Sequence, residues 1–132
     1  MPEDIQNETE PCEEQGMVTL SEAKAYLRVD SAFEDALITS LLASACSLCM
    51  DVGRLSPCEW KEIANYTSNN RKTLIIRSEE KCKCEILQMK ELIRCAVLYA
   101  LGYLYEHREE ADHHDLVLML RSLLSSVREG VV

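Results

Sequence analysis

Along residues 84–108, CEILQMKELIRCAVLYALGYLYEHR, apolar side chains recur at steps of three and four: Ile86, Met89, Ile93, Val97, Ala100 and Leu104. That spacing places them on one side of an α-helix. No charge occurs from 95 to 105, so this half of the helix is apolar nearly all round and is predicted to be covered from several directions. Eleven uncharged residues fall short of the roughly 20 that cross a bilayer. The pattern therefore predicts the buried central helix of a soluble domain, and no membrane partner.

Upstream, Thr19 and Glu22 have the spacing of a capping box, with Val18 and Ala23 at the positions of a hydrophobic staple. They predict a short helix over 20–28. Ser31 and Glu34 repeat the signal and predict a second helix over 32–52, with Leu37, Leu41, Leu48 and Val52 as its stripe, Ile38, Leu42 and Cys49 widening it, and Gly53 as its stop. Ser56, Pro57 and Glu59 then predict a helix over 58–66 that buries Trp60 and Ile63.

Residues 67–70 read as a polar turn, and TLII at 73–76 as a brief strand or an extended connector without an evident pairing partner. Ser78, Glu79 and Glu80 offer a start for the central helix. After it, HREEADHHD is a polar connection, and Asp115 is placed to cap a last helix over 116–128, with Leu116, Leu120, Leu123, Leu124 and Val127 on its inner face. The sum is an all-α domain, a small bundle of four or five helices around residues 85–107.

Composition changes the picture at the ends and in the cysteines. The chain has 132 residues and a formal charge of −9, but residues 1–16 hold six acids and no base, which leaves −3 for 17–132. The first 16 residues, with two prolines and one large aliphatic residue, predict a disordered acidic tail that buries too little to offset its ordering entropy. Residues 17–132 predict a single domain, and Met17 stands where a second start codon would. A mildly acidic body argues against a free-standing duplex-DNA binder, whose affinity comes from clustered Lys and Arg. Seven cysteines with no apolar leader before them predict a reduced, cytosolic protein, with Cys46, Cys49 and Cys95 acting as small core hydrophobes.

Candidate chemistry is sparse. Cys46 and Cys49 have CxxC spacing, but they fall mid-helix with no second knuckle; Cys82, Cys84, His113 and His114 share no spacing that would join them. No metal and no cofactor are expected. His107 lies among Glu106, Arg108, Glu109 and Glu110, a run that at a helix end is usually a solvated or interfacial face. No nucleophile elbow, phosphate loop or paired-carboxylate motif occurs, so no catalytic residue is assigned and no enzyme is expected. A helix-turn-helix would need basic side chains on its second helix, and residues 34–53 contain no Lys or Arg.

In order and spacing, VTLSEAKAYLRVD at 18–30, EDALITSLLASACSLC at 34–49, VGR at 52–54, LYEHRE at 104–109 and the closing LMLRSLLSSVR resemble the head-tail connector (adaptor, head-completion) proteins of tailed bacteriophages and prophages, of the HK97 small-connector type. The resemblance implies an all-helical subunit of a ring-shaped homo-oligomer, twelve-fold in the family, assembled in the bacterial host cytoplasm. The ring sits in the virion at the head-tail junction below the portal protein, extends the channel through which DNA passes without specific binding, and receives a tail or stopper protein. The acidic tail, the cysteine excess and the longer insertion over 56–83 depart from the family pattern.

On that resemblance Tyr105, Glu106, Arg108 and Glu109 become candidate oligomer or portal contacts, because arginine can hold a neighbour's carboxylate bidentately. Arg121 and Arg128, seven apart on the last helix, and Arg71, Lys72 and Arg77 in the basic stretch are further candidates. The alternative reading is a small helical regulatory protein that binds a partner protein or nucleic acid.

Overall fold

The computed structural model describes residues 16–109 and 113–129, so the predicted tail, Gly16 apart, lies outside the described residues. The elements in order are α1 (Leu20–Leu27), a 3-10 turn (Ala32–Glu34), α2 (Asp35–Gly53), α3 (Pro57–Asn65), β1 (Leu74–Ile76), β2 (Glu79–Lys81), α4 (Lys83–Glu106), α5 (His114–Leu123) and α6 (Ser125–Glu129). The fold is mainly helical, as the periodicity predicts, with α4 in the middle: α1, α2, α3 and α5 all pack on it.

Of the two predicted capping boxes, Thr19–Glu22 forms and Ser31–Glu34 does not. The Glu22 amide donates to Thr19 Oγ1 at 3.1 Å while Glu22 Oε1 accepts from the Thr19 amide at 3.0 Å, and Met17 and Val18 are buried just ahead of the cap. Ser56 and Glu59 repeat the exchange at 3.1 and 2.9 Å. Ser31 caps only the 3-10 turn, accepting from the Phe33 amide at 3.2 Å. At the C-terminal ends of α1 and α2 the left-handed residues are Arg28 (φ 63°) and Arg54 (φ 59°); Gly53 is the last helical residue and does not make the turn itself.

The core confirms the main stripe of α4 and shifts that of α2. Ile86, Ile93, Ala96, Val97, Ala100 and Leu101 of α4 are buried, with Trp60 and Ile63 of α3 and Leu116, Leu120, Leu124 and Val127 beyond. Each fully buried Ile or Leu contributes about 1.5–3 kcal/mol relative to exposure. On α2 the innermost residues are Ile38, Ala45 and Cys49, whereas Leu37, Leu41 and Leu48 are only half-buried. Cys95 is exposed, not a core thiol, because it faces away from the α2–α4 contact; the uncharged half of α4 is thus left partly open.

Three other details differ from the sequence expectation. Residues 78–80 do not start the central helix: β1 and β2 pair antiparallel, with Leu74 opposite Lys81 and Ile76 opposite Glu79, and Arg77-Ser78 is the two-residue turn between them. Both turn residues have positive φ, 54° and 70°, the backbone of a primed hairpin turn. Asp115 does not cap α5, which begins one residue earlier at His114. The last helix breaks at Leu124 into α5 and α6, which accounts for the sixth helix.

Candidate functional site

The end of α4 is tied to the start of α2. Tyr105 Oη donates to Glu34 Oε1 at 2.5 Å, and this carboxylate partner holds the phenol above its ordinary pKa. The Arg108 guanidinium lies 5.0 Å from the Tyr105 ring centroid and donates to the Tyr105 carbonyl at 3.2 Å. Glu106, Arg108 and Glu109 are otherwise exposed to solvent. Next to them His107 stacks on Tyr103 with centroids 4.1 Å apart, and His113 meets the same ring edge-on at 6.0 Å.

Because α2 turns Ile38, Ala45 and Cys49 inward, its leucines flank a groove against the last turn of α4. The groove has a volume of about 490 Å³ and is lined by Leu37, Leu41, Ser44, Leu48 and Leu104, with His107, Arg108 and His113 at one end. A second cleft, of about 650 Å³, is walled by Tyr26, Tyr99, Tyr103 and Tyr105 together with Arg28 and Glu106. Gly102 forms part of its floor, where a Cβ would come within 3.1 Å of Tyr26 Cε2.

The remaining candidates are dispersed. Arg121 is exposed on α5, Arg128 belongs to α6, and Arg71 and Lys72 are exposed on the connection between α3 and β1. Arg77 is turned into its own fold: its amide donates to Glu59 Oε2 at 2.7 Å, and its guanidinium to the carbonyls of Gly53 and Val127. Burial pushes the Glu59 carboxyl up, but the amides of Ser56 and Arg77 outweigh it and leave the group below its usual range.

Sequence reasoning missed the most exposed large apolar side chain among the described residues. Phe33, the chain's one phenylalanine, is 94% exposed on the 3-10 turn, and Leu118 and Met119 are 48% and 44% exposed on α5. The predicted helix over 32–52 contains Phe33, but the structure gives residues 32–34 to a 3-10 turn that leaves the ring in solvent. For thiol chemistry, burial raises Cys46 to about 11 and Cys49 to about 12. Among the described residues no group of three or more His, Cys, Asp or Glu is placed to hold a metal ion. No protein-family model, curated protein or solved structure matches this chain.

Proposed function

We propose that the chain is a head-tail connector subunit, a non-catalytic virion component that assembles in a ring below a portal protein. Its sequence fragments resemble that family, and the observation that carries the reading is that two of them meet: Glu34, which opens EDALIT, accepts the hydrogen bond of Tyr105 from LYEHRE. A motif pair separated by 71 positions yet joined at one point is coherent as the edge of a single surface.

The uncovered state of α2 supports assembly as well. By length and composition, residues 32–53 are apolar enough to cross a membrane, yet only 28% of their most apolar stretch is buried. Its outer face is Thr39, Ser40, Ala43, Ser44 and Ser47, small side chains that let a neighbouring subunit approach closely. Its inner face is committed to α4. A head-to-tail ring covers such a surface by repetition of one contact.

The test is co-purification with a portal protein, taken from the gene neighbourhood if one is encoded there. The wild-type chain is retained by the portal ring, and Arg108→Glu, with an unchanged circular dichroism spectrum, is lost from it. Retention of neither protein, or a gene position beside a promoter and away from capsid genes, favours the regulatory alternative.

A further inference from the structure

Phe33 and the α2–α4 groove match in chemistry, an exposed phenyl ring in an acidic segment and an apolar groove with Arg108 in its lining. Phe33 stands in DSAFED, residues 30–35, with three carboxylates and no base. Glu34 is engaged by Tyr105 and Asp35 by Lys24 at 2.7 Å, while Asp30 is open to solvent. The groove offers four leucines and Ser44, closed at one end by Arg108, His107 and His113 and lined by no carboxylate; Glu106 and Glu109 line the adjoining clefts instead. An exposed phenyl ring costs the isolated chain hydration free energy, and its own groove leaves it uncovered.

Resting on the connector reading, we infer that Phe33 of one copy seats in the groove formed by Leu37, Leu41, Leu48 and Leu104 of the next copy. The acidic segment around Phe33 then meets the Arg108 end of that groove. Placed head to tail, such a contact leaves each copy one free knob and one free groove until a ring closes. A buried aromatic anchor within a rim of opposite charge is the usual composition of an interface hot spot. Arg108 here acts from the groove end, together with its stacking on Tyr105.

Both test positions are exposed, so the variants keep the fold. Phe33→Asp removes the knob and leaves the groove; Ser44→Glu puts a carboxylate in the groove and leaves the knob. Sedimentation velocity of the full chain, with circular dichroism as the fold control, should show the wild type in multimers and each variant with association weakened roughly tenfold or more, as for a hot-spot loss. An equimolar mixture of the two variants retains one good knob and one good groove, and should give dimers and nothing larger.

Wild-type multimers with both variants assembling equally well overturn this contact and leave the ring reading standing. Variants that fail singly and also fail to dimerise when mixed overturn the knob-in-groove assignment. A wild type that stays monomeric at the highest soluble concentration overturns self-association through Phe33, and the connector reading is then decided by portal co-purification alone.

Discussion

The guanidinium of Arg77 donates to the carbonyl oxygen of Val127 at 2.5 Å, across 50 positions of chain, and the same nitrogen reaches the Gly53 carbonyl at 3.3 Å. Gly53 ends α2 and Val127 lies in α6, so one cation satisfies carbonyls at the C-terminal parts of two helices, where positive charge is favoured. The hairpin turn is thereby fastened to the bundle.

Removal of that fastening should be costly. Arg77→Ala leaves two carbonyls without their charged donor, and hydrogen bonds to charged groups contribute about 1.5–3 kcal/mol each way. A loss of about 2–3 kcal/mol in urea unfolding is expected on that basis, with partial rescue by Arg77→Lys. A loss comparable to that of an exposed arginine such as Arg71→Ala would refute the role.

The same turn holds Arg77 and Ser78 at positive φ, a conformation that costs a non-glycine L-residue roughly 1–2 kcal/mol. Ser78 is exposed, so glycine there relieves the strain without removing a core contact. After the entropy that glycine adds to the unfolded chain, Ser78→Gly should stabilise by about 0.5–1 kcal/mol, seen as a higher Tm.

Glu22 gives the pH dependence a definite sign. Arg94 grips its carboxylate at 2.8 and 3.1 Å while also donating to the Met17 carbonyl at 2.9 Å, and the Arg94 hydrogen bond holds the Glu22 pKa below its ordinary 4.5. A depressed folded-state pKa contributes stability that is present above pH 4.5 and lost as pH falls through the lower folded value. Glu22 is 40% exposed, so solvent screening limits the pair to about 0.5–1 kcal/mol. Glu22→Gln should narrow the difference in unfolding free energy between pH 7 and pH 3, and an unchanged difference would exclude the pair as a contributor.

The thiols should separate by reactivity. Cys46 and Cys49, raised to about 11 and about 12 by burial, have almost no thiolate near pH 8, and thiolate is the reactive form. Cys58, Cys82, Cys84 and Cys95 are exposed. Alkylation at pH 8 followed by peptide mass mapping should label those four rapidly and Cys46 and Cys49 only on unfolding. Rapid native labelling of Cys49 would mean that the α2–α4 contact opens readily.

Much of this fold was legible in the sequence because its signals are local. Thr19–Glu22 and Ser56–Glu59 are reciprocal hydrogen-bond pairs three residues apart, and the 3.6-residue rhythm of Ile86, Ile93, Val97 and Ala100 needs no partner to be read. The hairpin was obscured because Arg77-Ser78 lacks the Asn-Gly or Asp-Gly of a primed turn, and its compensation comes from Glu59, Gly53 and Val127, far away in sequence. The candidate surface was half legible. The Tyr105–Glu109 run stands out as a polar end to an uncharged helix, but the groove beside it depends on a rotation of α2 that puts Ile38 inward instead of Leu37. Hydropathy alone assigns Phe33 to a core, and only the packed structure leaves it outside.

The proposed connector function is tested most directly by sedimentation velocity with negative-stain imaging of the purified chain mixed with a portal protein, taken from its gene neighbourhood if one is encoded there. It predicts that this 15.0 kDa chain comigrates with the portal as a closed ring stacked on one end, and that the ring image disappears with Arg108→Glu. A folded chain that sediments alone as a monomer beside an undecorated portal would contradict it.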